Sequence, residues 1–416
     1  MDWGECGERR VNLTDGEHRV VYRESTVGAL ALLMAVAPAV AQEVIELPAD
    51  DRLLEADFEE IYRLGALDGR GWETFGHVGG VGFDGAGNLY ILDSGAVRIY
   101  VVDQQGNLVR QFIREGEGPG EFGGNYAAAL EFAVMRDGRV AVYDMGRMGF
   151  ALFDASGEFE RTVPLMGPQT HFPMIGGIQA FPDMERLLST TEVGYLRRTE
   201  PDPDDESPPP PFRYVLSYGL SGDQIHIDSV AAGWRPSGDP EAFKPSLAAG
   251  VLPSGAIVYT DSSAYAIKFA LPGGRVTRIV TRPFQPRRVT EAMKAAELER
   301  RLEGLGDGGG DPMRQRMIEF RRGQIEAMEF FEEIPVVLSL TTSWEGTIWV
   351  QHSDGERTEG SRIDLITPEG GYLGTLAPGS TAMPSAFGPD GLAAFVETDD
   401  FGVSYVVVKR LPDGVR

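Results

Sequence analysis

Five residues able to do chemistry recur at one offset from a turn glycine. Asp93 stands six residues after Gly87, Asp144 after Gly138, Asp261 after Gly255, His352 after Gly346 and Glu397 after Gly391. A weaker copy aligned on Glu185 puts Thr191 at the same place, with Glu192 beside it. If the repeats are arranged about an axis, these positions form a ring on one rim. Oxygen-rich side chains so gathered suit a divalent cation such as calcium, or a polyhydroxylated ligand. The competing role is structural: an Asp at a strand end accepts backbone N–H bonds from the turn that follows, in every repeat and with no ligand. That role does not call for the imidazole of His352.

Other constellations are weaker. The histidines His77, His171, His226 and His352 have no local zinc spacing. There is no serine nucleophile elbow and no phosphate loop. Gly116–Phe122 (GEGPGEF) precedes an apolar strand instead of opening a helix, which makes it a connector. The single cysteine, Cys6, lies in the N-terminal leader, so the rest of the chain carries neither disulfide nor thiolate site.

The elements that must position the ring are short strands. Asp84-Gly85-Ala86-Gly87 leads into Asn88–Leu92, then Arg98–Asp103, a turn at Gln104-Gln105-Gly106, and Leu108–Ile113. The same phrase opens at Asp137-Gly138, Ser254-Gly255, Glu345-Gly346 and Asp390-Gly391, and in weaker form at Asp183. Each copy supplies a glycine for a tight hairpin and follows an apolar strand such as His77–Phe83. Four strands per copy and six copies predict an all-β, six-bladed β-propeller with four-stranded blades. The last copy stops at Asp413-Gly414, one strand short. Asp57–Leu64 (DFEEIYRL) belongs to no repeat and is the expected strand that closes the ring and covers the open edge.

The phrase GNLYILD…RIYVVD…GNLVRQF, followed by GEGPGEF, resembles the NHL-repeat branch of the TolB-like six-bladed β-propellers. The resemblance runs over residues 57–416. It implies the propeller fold for 42–416, and it implies little about activity, since that family holds enzymes and binding proteins alike.

Two insertions interrupt the repeats. Residues 200–211 (EPDPDDESPPPP) are acidic and proline-rich, a loop with no means of forming a core. Residues 288–333 read as a helical hairpin. Thr290–Leu305 forms one helix, and a second begins at an Asp311 N-cap with Pro312 at its first position. Met313, Met317, Phe320, Met328 and Phe331 recur near helical spacing and are expected to pack on one propeller face. A moving lid is the other reading of that stripe.

Residues 1–41 read as a leader with a secretory signal peptide. Arg19 and Arg23 precede the apolar run 27–41, which ends Ala39-Val40-Ala41 before Gln42 and is too short to span a bilayer. A periplasmic or secreted monomer without stable membrane insertion follows. A net charge of −25 disfavours nucleic acid and anionic membranes as partners. Two functions fit. One is an exported, non-catalytic scaffold recognising a protein, peptide or glycan on a propeller face. The other is a metal-dependent hydrolase or lyase of the sugar-lactonase type, with its site in the central channel.

Overall fold

A computed structural model describes residues 42–66, 71–123, 131–165, 175, 177–190, 212–237, 240–306, 312–353 and 360–416. The leader 1–41, the acidic segment 200–211, Thr191, His171 and Asp311 lie outside the described residues.

The N-terminal segment contributes three strands: β1 (Glu43–Glu46), β2 (Leu53–Leu54) and β3 (Glu59–Leu64). Blade one is β4 (Val78–Phe83), β5 (Leu89–Asp93), β6 (Arg98–Val102) and β7 (Leu108–Phe112). Blade two is β8 (Glu131–Val134), β9 (Val140–Asp144), β10 (Gly149–Phe153) and β11 (Phe159–Pro164). Blade three is β12 (Gln179–Ala180), β13 (Arg186–Ser189), β14 (Phe212–Gly219) and β15 (His226–Trp234). Blade four is β16 (Ala248–Val251), β17 (Ile257–Thr260), β18 (Ala266–Ala270) and β19 (Val276–Thr281). The insertion follows: β20 (Arg287–Arg288), α1 (Glu291–Glu303), α2 (Pro312–Glu326) and β21 (Glu333–Ile334). Blade five is β22 (Val337–Thr342), β23 (Ile348–His352), β24 (Ile363–Ile366) and β25 (Tyr372–Leu376). Blade six is β26 (Ala386–Phe387), β27 (Leu392–Thr398) and β28 (Ser404–Arg410), with β3 as its fourth strand.

Strand order within each blade is sequential and antiparallel. The turn glycines that open the second strands hold φ of +79° at Gly87, +87° at Gly138, +79° at Gly255, +104° at Gly346 and +73° at Gly391. Side chains with a Cβ avoid that region, so the repeat keeps glycine there. Every blade carries a bulge between its third and fourth strands, at Val101/Val102, Leu152/Phe153, Val215/Leu216, Phe269/Ala270, Leu365/Ile366 and Val408/Lys409. A bulge adds twist, and a propeller blade is strongly twisted from axis to rim.

The core is divided among the blade interfaces. Leu92 and Val101 meet Val142 and Phe153; Tyr143 and Phe150 meet Leu187 and Tyr218; Leu188 and Val215 meet Ile257 and Tyr259. Val258 and Ile267 then meet Leu340 and Val350; Trp349 and Leu365 meet Ala393 and Phe395; Leu89 and Ile91 meet Leu392 and Val406. Six apolar interfaces between six blades close the ring.

The closing strand is where the open edge required it. β3 pairs antiparallel with β28, from Val406 opposite Leu64 to Arg410 opposite Glu59. The residues before it do more than the repeat count foresees. β1 adds parallel to the outer edge of blade four and β2 parallel to that of blade five. The N-terminal segment is thus a belt along three successive blades.

The helical hairpin departs from expectation in what it buries. Met328 is buried and Phe331 meets Trp234 edge-on with ring centres 6.1 Å apart, but Met313, Met317 and Phe320 are 70%, 52% and 64% exposed. The half-buried positions of α2 are Ile318 and Ile325, one heptad apart on a different face, and α2 packs along α1. The reason is layering. α1 and the return segment meet the propeller, so α2 is the outer helix and needs only a narrow apolar seam.

Candidate functional site

The ring residues sit at the ends of the second strands, and each described one is held by a partner of its own. Asp93 is fully buried and accepts N–H bonds from Gly76 (2.9 Å), His77 (3.1 Å) and Ala96 (3.0 Å). Asp144 accepts from the Arg147 amide at 3.2 Å and lies 3.6 Å from its guanidinium. Asp261 is buried and takes the Trp234 amide and the Lys268 ammonium on Oδ2, both at 2.7 Å. Its Oδ1 has no hydrogen-bond partner among the described residues. Glu397 forms an exposed ion pair at 2.9 Å with Arg63 of the closing strand. His352 turns to Asp364, with Nε2 2.8 Å from Oδ2. Thr191 lies outside the described residues, although its neighbour Thr190 lines the cleft described next. Equivalent positions therefore share a rim without their side chains meeting. Among the described residues no three His, Cys, Asp or Glu side chains gather as a metal would require.

What the sequence did not expose is a cleft of about 920 Å³ on this same rim, between α1 and blades three to five. Its roof is α1, where Ala292, Met293, Ala296, Glu297 and Arg300 face the opening. Two alanines one turn apart leave the space a larger residue would fill. Its floor is apolar: Phe243, Leu247, Ile334, Pro335, Val337 and Leu338. Thr290 caps α1, its hydroxyl accepting from the Met293 amide at 3.3 Å. The base of the hairpin is clamped by β20 pairing with β21, and by Phe331 N–H donating to the Ala242 carbonyl at 2.9 Å.

The rim of the cleft is ionic. Glu297 receives Arg300 and Arg301, each at 2.7 Å. The Arg300 hydrogen bond, acting against burial, holds the Glu297 carboxyl below its ordinary range, with Arg301 adding to the effect. Arg213 is buried and donates to the carbonyls of Trp234, Pro245 and Asp261, tying the end of blade three to the start and rim of blade four.

A second cavity of about 390 Å³ adjoins the cleft, sharing Ile334, Pro335 and Ser353 with it. His352 lies in its wall between the rings of Tyr265 (5.4 Å) and Phe284 (5.3 Å). Behind it stands a buried charged network. Arg282 Nη1 is 2.9 Å from both oxygens of Asp364, and its Nη2 is 2.7 Å from Asp51 in the belt. Burial alone pushes the Asp364 carboxyl up. The hydrogen bond and charge of His352, the Thr375 hydroxyl and the Arg282 guanidinium outweigh it and hold the carboxyl below its usual range.

Glu131, on the innermost strand of blade two, was also missed. Burial raises its carboxyl, and an N–H from Gly177 at 3.3 Å offsets only part of that. Nothing local marks Glu131 or Asp364, since each is one acid among apolar strand residues. Only the pattern break in IDLI, where Asp364 stands between Ile363 and Leu365, could have hinted at a buried charge.

No protein-family model matches the chain, and no curated protein sequence does. Among solved structures it resembles a member of the DUF4221 family from Bacteroides vulgatus. The match has 11% identity, covers 86% of this chain and 98% of that one, and has a TM-score of 0.52. The likeness is one of fold. A candidate exported protein from Bacteroides fragilis matches at 14% identity over 89% of this chain and 99% of that one, with a TM-score of 0.47. Virginiamycin B lyase from Staphylococcus aureus matches at 12% identity over 84% and 88%, with a TM-score of 0.39. Among the described residues no helix is long and apolar enough to cross a membrane.

Proposed function

We propose that the chain is an exported, non-catalytic binding scaffold whose ligand occupies the cleft beneath α1. The cleft itself carries this reading: a large, apolar-floored opening with an ionic rim, on the face where the inter-blade loops converge. Between a glycan and a protein or peptide, the lining favours the latter. Phe243 is the one aromatic ring among the described lining residues, whereas aliphatic walls suit an apolar side chain. The leader read in residues 1–41 supports export, and the repeat phrase supports an NHL-type origin.

The second reading, a metal-dependent hydrolase or lyase, rests on Glu131. A half-buried carboxyl with a raised pKa on an innermost strand is of the kind that serves as a catalytic acid.

The test of the binding reading uses 1-anilinonaphthalene-8-sulfonate, a dye with an apolar body and one anionic group. It should bind the native protein, and Ala296→Trp, which fills the cleft from an exposed helix, should weaken binding by at least about tenfold, or ~1.4 kcal/mol. Unchanged dye affinity in Ala296→Trp would place the binding surface elsewhere. Peptide pools that displace the dye would then define the ligand class.

A further inference from the structure

The helix α1 spans the cleft with little to hold it there. None of its residues is fully buried. Ala292 and Ala296 line the cleft yet stay exposed, across the opening from the buried floor residues Leu247, Ile334 and Val337. Among the described residues, α1 makes one hydrogen bond to the propeller, from Arg301 Nη2 to the Glu241 carbonyl at 3.3 Å. Its other polar ties stay within the insertion: Glu297 takes Arg300 and Arg301, and Lys294 lies 5.9 Å from the Phe330 ring centre. An element with few buried contacts and one long, exposed hydrogen bond belongs to the low-stability end of a fold.

The base of the hairpin is held differently. β20 pairs with β21, and Val289 N–H donates to the Glu332 carbonyl at 2.9 Å. The N–H groups of Glu241 and Ala242 share the Glu329 carbonyl, at 3.0 and 3.3 Å. The next residue, Phe243, holds φ of +61°, a region that bulky side chains rarely adopt. Its ring lines the cleft and lies 6.0 Å from that of Phe330. Strain of this kind gathers at ligand clamps and switches. A ligand that presses on Phe243 therefore presses on the segment that carries both helices.

We propose that α1 and α2 form a lid on the cleft, turning as one body about the clamped base, with Arg301 on the Glu241 carbonyl as the latch of the closed state. Opening admits the ligand. A ligand that fills the space below Ala292 and Ala296 gives α1 the apolar surface it lacks and holds the lid shut. As regulation of the cleft, this rests on the binding reading above; the hinge itself does not.

Double electron–electron resonance tests it in the full chain. Nitroxides at Gln315→Cys on α2 and Thr162→Cys on β11, both exposed positions, are placed in a Cys6→Ser background that removes the single native cysteine. Without ligand, two distances should appear, differing by at least about 5 Å, one helical turn. Saturating 1-anilinonaphthalene-8-sulfonate should leave only one of them. Arg301→Ala should raise the population of the other about threefold, the loss of one weak hydrogen bond. One narrow distance, unmoved by the dye and by Arg301→Ala, would overturn the lid, and so would two distances whose populations ignore Arg301→Ala. If Ala296→Trp weakens dye binding but the dye leaves both distances equally populated, the lid fails and the binding reading stands. If dye affinity ignores Ala296→Trp while the distances still respond to Arg301→Ala, the binding reading fails and the hinge stands.

Discussion

Arg282, just past the outer strand of blade four, places one nitrogen 2.9 Å from both carboxylate oxygens of Asp364 in blade five, and both side chains are fully buried. The same guanidinium reaches Asp51 and the carbonyls of Pro48 and Asp50 in the N-terminal belt, and stacks between Phe284 and Tyr372, 4.7 Å from each ring centre. Two blades and the belt are therefore tied through one residue.

Removing one member of such a network leaves an uncompensated buried charge. Asp364→Asn should cost about 3–5 kcal/mol in urea unfolding at pH 7. The pH dependence has a definite sign. The Asp364 carboxyl is held low in the native state, so its stabilisation is present above the unfolded-state value of about 3.9. It is lost as pH falls through the native value. Asp364→Asn should flatten that acid-side loss of stability.

The belt and the closing strand should separate on truncation. A chain beginning at residue 57 keeps β3 but loses β1, β2 and Asp51. It should remain folded, with a thermal midpoint lowered by roughly 5 °C or more. A chain beginning at residue 66 leaves β28 as an open edge whose Val406, Val407 and Val408 are otherwise fully buried. It should elute as aggregates or fail to fold. Equal behaviour of the two truncations in size-exclusion chromatography would contradict the role assigned to β3.

The ring carboxylates should behave as structural acceptors. Asp93→Ala abandons three backbone N–H groups and should cost roughly 2–4 kcal/mol, whereas Glu397→Ala breaks an exposed pair and should cost less than about 1 kcal/mol. Calcium added to the chelated protein should leave the thermal midpoint where it was. A calcium-dependent rise that disappears in the Asp144→Ala, Asp261→Ala double variant would bring the hydrolase or lyase reading forward.

Glu131 predicts an effect of opposite sign to Asp364. Its carboxyl is raised by burial, so ionisation costs native stability as pH climbs past the unfolded-state value of about 4.3, and the cost is complete above the native value. Glu131→Gln should therefore raise the melting midpoint at pH 8 and change it little at pH 4. A lower midpoint at pH 8 would mean that the ionised form has a partner.

Much of this protein is legible without coordinates. The turn glycines must be glycine because their φ is positive, and the turns they make recur at a fixed offset, so five blades and the weak third can be counted along the chain. The missing outer strand of blade six is a deficit in that count, and Glu59–Leu64 supplies it. These features depend on local backbone chemistry and on the requirement that a sheet edge be paired.

The rest depends on which residues distant in the chain become neighbours. Asp51, Arg282, His352 and Asp364 are brought together only by the stacking of blades four and five under the belt, and no spacing in the chain announces them. Helical period alone assigns Met313, Met317 and Phe320 to one face of α2, but burial requires a surface to meet, and the propeller offers that surface to α1 instead. The repeating acids likewise share a position in the fold while their directions are set one by one, by Ala96, Arg147, Lys268 and Arg63. Turn chemistry and strand period act over a few residues and can be read in order; packing and charge pairing act across the ring, and only the folded chain decides them.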